Sequence, residues 1–155
     1  MNGDPPSFIK YNNHGEISCE EWYTNGFIHR DNDKPAVILY YERGHIRIEK
    51  WYNAGMLTRE NDKPAKVEYS FSGNIVTEEW YKDGKEHRDN DKPAFIEYDG
   101  ENGISREMWF SHGNVHRDSE PAIIDYENGL LRRKEWYTKG KLIKTEVCKN
   151  GIFNV

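Results

Sequence analysis

Tryptophan recurs in this chain at a nearly constant interval. Trp22, Trp51, Trp80, Trp109 and Trp136 stand 29, 29, 29 and 27 residues apart. A fixed period of roughly 20–50 residues marks one supersecondary unit copied end to end, each copy burying its apolar surface against the next. Other landmarks keep the same interval. An aromatic follows each Trp (Tyr23, Tyr52, Tyr81, Phe110, Tyr137), and a glycine follows a few residues later (Gly26, Gly55, Gly84, Gly113, Gly140). A proline opens each unit (Pro6, Pro35, Pro64, Pro93, Pro121), and a tyrosine lies downstream of it (Tyr11, Tyr40, Tyr69, Tyr98, Tyr126). The spacing divides the chain into units 6–34, 35–63, 64–92, 93–120 and 121–140, with a C-terminal cap over 141–155, all within one repeat domain, 1–155.

Each unit has the composition of β-strands. The run from Pro35 to Tyr41 is β-branched and aromatic and is bounded by Pro and Gly. Strand alternation puts Ala36, Ile38 and Tyr40 on one face. A glycine turn leads to a second strand ending at Trp-Tyr. Asn25-Gly26 and Asp83-Gly84 are hairpin turns, because both central residues tolerate positive φ. A short third strand, Phe27-Ile28-His29 in the first unit, then enters the polar Asn-Asp-Lys-Pro turn. Alternation along the second strand groups Ile17, Ile46, Ile75, Ile104 and Leu131 with the aromatic after each Trp. It sets Glu20, Glu49, Glu78 and Glu107 on the Trp side, unless a bulge near the Trp exchanges them. The expected body has an Ile/Tyr face and a Trp column flanked by charge. The expected fold is all-β: an elongated, single-layer antiparallel meander with a capping hairpin built from Leu142–Cys148, Asn150-Gly151 and Ile152-Phe153.

Composition narrows the function. Only 35% of the chain is hydrophobic, yet 14% is aromatic, which is too much for disorder and suits a thin sheet whose units touch only their neighbours. The net charge of −5 argues against a nucleic-acid or anionic-membrane binder, which would carry a basic excess. Cys19 and Cys148 lie near opposite ends of the chain and are expected to be free thiols. The start Met-Asn-Gly-Asp-Pro-Pro is unlike a signal peptide, no apolar run is long enough to span a bilayer, and no Asn-x-Ser/Thr sequon occurs. An intracellular, non-secreted protein is expected.

The polar turns invite sharper readings. His87-Arg88-Asp89-Asn90 has the letters of a kinase catalytic loop, but it recurs in several copies and no glycine-rich phosphate loop precedes it. Asp31-Asn32-Asp33 and Asp89-Asn90-Asp91 suggest calcium, but Ala36 and Ala94 stand where an EF-hand needs glycine. His29, His87 and His116 occur once per unit, too far apart to share a zinc ion. No enzyme activity and no cofactor or metal are expected. The candidate interaction residues are Trp22, Trp51, Trp80, Trp109, Trp136, Arg30, Arg59, Arg88 and Arg117, since Trp and Arg dominate binding hot spots. Each Arg is expected to pair with a nearby acid or to lie on a Trp face.

The segment Tyr81-Lys82-Asp83-Gly84-Lys85-Glu86-His87 resembles the MORN repeat. The longer unit, Trp-Tyr-x-x-Gly-x-x-His-Arg-Asp-Asn-Asp-Lys-Pro-Ala, is similar to variant repeats encoded by large nucleocytoplasmic DNA viruses such as marseilleviruses and mimiviruses. The resemblance implies a β meander of hairpins and a non-enzymatic role in protein–protein contact or scaffolding, in the host cytoplasm or nucleus or in the virion. Self-association as a homodimer is expected of an uncovered aromatic face. The alternative that the resemblance brings is a peripheral membrane or phosphoinositide-binding module, for which the Arg column would be the basic stripe.

Overall fold

The computed structural model describes residues 4–100, 103–149 and 152–154. Its main body is one antiparallel sheet of twelve strands whose spatial order follows the chain. A proline strand and a tryptophan strand alternate. The pairs are Phe8–Tyr11 with Ile17–Glu21, Val37–Tyr40 with Ile46–Lys50, Lys66–Tyr69 with Ile75–Glu79, Phe95–Tyr98 with Ile104–Met108, and Ile123–Glu127 with Leu130–Thr138. Lys141–Lys149 and Ile152–Asn154 close the far end. The sheet is open, with Phe8–Tyr11 and Ile152–Asn154 at its two edges. The expected Asn150-Gly151 turn of the cap lies outside the described residues; the strands on either side of it are in place.

The short third strand does not join this sheet. Phe27–Ile28 forms a two-stranded ladder with Tyr23–Thr24, and the same small hairpin forms at Tyr52–Asn53 with Met56–Leu57, Tyr81–Lys82 with Lys85–Glu86, and Phe110–Ser111 with Asn114–Val115. The tryptophan backbone is the reason. Trp22 N–H donates to the Ala36 carbonyl in the main sheet, while its own carbonyl accepts from His29 N–H at 3.0 Å. Trp51, Trp80 and Trp109 repeat both bonds, so each is the pivot from which a hairpin leaves the sheet. The tips are tight turns with positive φ at both central residues, 52° and 82° at Asn25-Gly26 and 51° and 74° at Asp83-Gly84. Near the C-terminus the pivot is absent. Leu130–Thr138 runs straight through Trp136, which pairs with Lys144.

A recurrent bulge corrects the expected division of faces. Leu39 pairs with Ile48 and Tyr40 with Ile46, so Arg47 is left over. Ser18, Val76, Ser105 and Arg132 are skipped in the same way. One extra residue reverses the alternation beyond it. The bulge lies at the isoleucine end of the strand rather than beside the Trp. The isoleucines therefore move to the Trp side, because paired residues share a face. Ala36, Ile38, Tyr40, Ile46, Glu49 and Trp51 all lie on one side, as do their counterparts in the other copies. The other side carries Cys19, Val37, Leu39 and Ile48 near the first edge. It becomes ionic further along, where Asp125 pairs with Arg106 and Arg133, each at 2.6 Å.

The alanine after each proline marks the tightest point of the repeat. Ala36, Ala65, Ala94 and Ala122 have no exposed surface, and both backbone groups of each are bonded, as in Ala65 N–H to Glu79 O and Trp51 N–H to Ala65 O, both 2.8 Å. Three added carbons have no space here. Ala65→Leu is expected to destabilise the chain by about 1–3 kcal/mol, seen as a lower urea midpoint at unchanged slope.

Candidate functional site

Between adjacent units the sequence builds the same clamp three times, and Asp4, ahead of the first unit, makes a fourth with Trp22 and Arg30. The turn residues Asn32 and Asp33 both take left-handed φ, 62° and 54°, and Asn61-Asp62 and Asn90-Asp91 do the same. Asn and Asp tolerate this region better than other residues carrying a β-carbon. The conformation aims the Asp carbonyl at the next indole. Trp51 Nε1–H donates to Asp33 O, Trp80 Nε1–H to Asp62 O and Trp109 Nε1–H to Asp91 O, all at 3.0 Å, and Trp22 Nε1–H donates to Asp4 O at 3.1 Å. The carboxylate of the same Asp receives the arginine that follows the Trp. Arg59 reaches Asp33 through Nε at 2.6 Å and Nη2 at 3.0 Å, and Arg88 reaches Asp62 at 2.7 and 3.1 Å. Arg30 with Asp4 and Arg117 with Asp91 repeat the fork.

The guanidinium also caps the ring. Its carbon lies 3.6 Å from the Trp22 ring centroid for Arg30, 3.8 Å from Trp51 for Arg59, 3.8 Å from Trp80 for Arg88 and 4.0 Å from Trp109 for Arg117. That is cation–π contact, worth about 0.5–1 kcal/mol at an exposed site and more when desolvated. A further N–H of each Arg donates to a proline carbonyl, Pro35, Pro64, Pro93 or Pro121. Three clamps gain a lysine on the same Asp: Lys34 on Asp4, Lys63 on Asp33 and Lys92 on Asp62. The last Trp departs from the pattern. Ser119 replaces the Asp, Lys144 replaces the Arg and lies 4.8 Å from the Trp136 ring, and Lys144 pairs with Glu146.

The expected site residues are thus brought together, but inward. Trp22, Trp51, Trp80 and Trp109 are 6–7% exposed, and the side chains of the four arginines 12–16%. Trp136 is half-buried. The Trp column is covered by its own arginines and does not form an open aromatic face. Reading along the chain missed the acids that matter. The neighbouring Asp31 and Asp89 bond His29 and His87, each at 3.0 Å, while the arginine partner lies one unit earlier. The signal was present as an Asp in constant phase with each Arg, 26 residues upstream.

A second set of inter-unit bonds runs beside the clamps. Tyr40 donates to Glu20, Tyr69 to Glu49 at 2.7 Å, Tyr98 to Glu78 at 2.6 Å and Tyr126 to Glu107 at 2.9 Å. Burial, reinforced by the glutamate, pushes Tyr126 up to about 12 and raises the other three further. What recurs from unit to unit on this face and stays open is the row Ile17, Ile46, Ile75 and Ile104, 36–38% exposed, displaced onto it by the bulge. Among the described residues no cluster of three or more His, Cys, Asp or Glu is placed to hold a metal ion, and both cysteines are free. No family profile, curated protein or solved structure matches the chain.

The clamps make stability acid-sensitive. Hydrogen bonds from Arg88, then Lys92, hold Asp62 down at about 2, and Lys34, then Arg30, hold Asp4 at about 2. Arg59 and Lys63 lower Asp33 as well. A carboxyl depressed in the folded chain stabilises it above the unfolded value near 3.9, and that contribution disappears as pH falls toward 2. Asp62→Asn keeps the turn but removes the charge. Its cost at neutral pH is expected to be about 1 kcal/mol or less, since the pair is partly exposed. The gap in thermal midpoint between parent and variant should close between about pH 4 and 2. A gap that stays constant over that window contradicts the ionic clamp.

Proposed function

We propose that this chain is a non-catalytic scaffold that binds other proteins through the face carrying the isoleucine row. The observation that supports this reading is the row itself. In the internal copies every other residue type that recurs on this face is engaged internally, the Trp by Arg, the Arg by Asp, the Tyr by Glu and the Ala by packing. Ile17, Ile46, Ile75 and Ile104 recur equally strictly and remain at the surface. Successive members sit two strands apart, about 10 Å from one another at ordinary strand spacing. Rows of apolar side chains held at fixed spacing on a rigid support favour association, and a row with uniform spacing matches itself under a twofold rotation. A second copy is therefore the first partner to test.

Two observations weigh against the other readings. The clamp histidines, acids and arginines recur copy after copy, whereas catalysis calls for a single constellation. The Arg column that an anionic membrane would use is forked onto Asp in each of its four members, so its charge is neutralised where it stands.

The test is light scattering on the parent chain and on Ile46→Thr/Ile75→Thr, which keeps β-branching while removing apolar surface. Dimer at micromolar concentration is expected for the parent, with a dissociation constant raised about tenfold or more in the double variant at unchanged fold. A parent that stays monomeric removes the second copy as partner. Capture of other proteins that is indifferent to the two substitutions removes the row.

A further inference from the structure

We propose that Phe8–Tyr11, which among the described residues has a strand neighbour on one side only, is a strand-addition site that takes, from a partner protein, an extended segment with Glu two residues before Trp. Every internal proline strand receives such a segment from the unit before it. Ile17–Glu21 lies along Val37–Tyr40 with Glu20 opposite Ile38, Trp22 N–H on Ala36 O at 2.9 Å, and the Glu20 carboxylate accepting from the Tyr40 hydroxyl. The same three contacts recur where Glu49 and Trp51 meet Val67, Ala65 and Tyr69, and where Glu78 and Trp80 meet Ile96, Ala94 and Tyr98.

Phe8–Tyr11 carries the receiving half of this interface. Ser7 stands in the alanine position, its N–H on Glu21 O at 2.8 Å just as Ala36 N–H is on Lys50 O at 2.8 Å. Ile9 stands in the Ile38 position, opposite Glu20. Tyr11 stands in the Tyr40 position, bonded to no glutamate among the described residues and 56% exposed, whereas Tyr40, Tyr69, Tyr98 and Tyr126 are half-buried. Phe8 beside it is 50% exposed. The Ser7 carbonyl, the open backbone groups of the edge and the Tyr11 hydroxyl are laid out as the internal strands lay out theirs. Main-chain bonds supply affinity in strand addition, and alternate side chains supply selectivity. Here the selecting group is the tyrosine hydroxyl, which calls for a carboxylate opposite Ile9. The main sheet of a second copy does not offer one: its tryptophan strands already have neighbours on both sides, and neither of its edges, Phe-Ile-Lys-Tyr or Ile-Phe-Asn, contains an acid.

This site touches the isoleucine row only at Ile17, which pairs with Tyr11, and stands or falls without the row's other members. The probe is a blocked peptide with the sequence of residues 75–82, titrated into isotope-labelled full chain and followed by amide chemical shifts. Saturable shifts confined to residues 5–12 and their neighbours in 17–21 are expected. Tyr11→Phe, at an exposed position, should weaken binding about three- to tenfold with the thermal midpoint unchanged. A peptide with Lys in place of the glutamate opposite Ile9 should weaken it at least as much. Three results overturn the proposal: no edge shifts at millimolar peptide, shifts centred on Ile46 and Ile75 instead, or edge shifts that arise from concentrating the chain alone, which would make a second copy the occupant. Equal binding by parent and Tyr11→Phe overturns the tyrosine's selecting role and with it the assigned partner chemistry.

Discussion

One aspartate that serves two groups of the next unit holds this molecule together. Its carbonyl takes the indole N–H and its carboxylate takes the arginine that lies across the same indole. The two bonds span 18 and 26 residues, so each clamp closes an interface between units rather than a contact within one. Stability in such an arrangement is a sum over neighbours. A chain that is only 35% hydrophobic can fold this way because the apolar core of a unit is small, chiefly one Trp, one Ala and one Ile or Val. The arginine completes it by covering the ring with a flat, weakly hydrated cation whose charge is met by the Asp. The bidentate fork fixes the angle of approach as well as the distance.

The clamp depends on backbone that most residues resist. Two consecutive left-handed residues place the Asp carbonyl and carboxylate toward the same neighbour, and Asn-Asp is among the few pairs that accept this at small cost. The end of the chain shows what happens when the pair is lost. Ser119-Glu120 precedes Pro121, the Asp position holds no carboxylate, and the arginine position holds Lys144. The side hairpin disappears at the same place and the chain runs as two nine-residue strands, Leu130–Thr138 and Lys141–Lys149. Asp, Arg and hairpin are lost together at this one copy.

Much of this was legible from the spacing of a few residue types. The Trp period, the Pro starts and the Asn-Gly and Asp-Gly turns place the strands and their order, because each is a local signal. An acid or a Trp face was readable as the alternative for each arginine; both contacts occur at Trp22, Trp51, Trp80 and Trp109, while the Lys144 contact of Trp136 was not foreseen. Three features were not legible. A bulge at Arg47 and its counterparts inverts the faces, and nothing in the composition of Ser18, Arg47, Val76, Ser105 and Arg132 marks them as skipped. The separation of the small hairpins depends on the backbone bonds of Trp, which no side chain announces. The Arg–Asp pairing runs between units, so the nearest acid in sequence was the wrong one; Asp31 belongs to His29.

Repetition then separates structural residues from the surfaces that can carry function. Residues consumed by the inter-unit interface must recur, and on the Trp side they do: the Trp, Ala, Tyr, Glu and Arg positions are all spoken for by another part of the same chain. The opposite side is free to vary and does, from the apolar group of Cys19, Val37, Leu39 and Ile48 to the Arg106–Asp125–Arg133 network. The isoleucine row fits neither class. Internal packing explains a recurring residue when it is buried, and drift explains an exposed one when it varies. This isoleucine is a partly exposed aliphatic residue that recurs in four successive tryptophan strands, displaced onto the constant face by a bulge of its own, and the scaffold proposal rests on a reason for it outside the chain. On the scaffold reading proposed above, contact with another protein surface is that reason, and it breaks none of the recurring internal bonds.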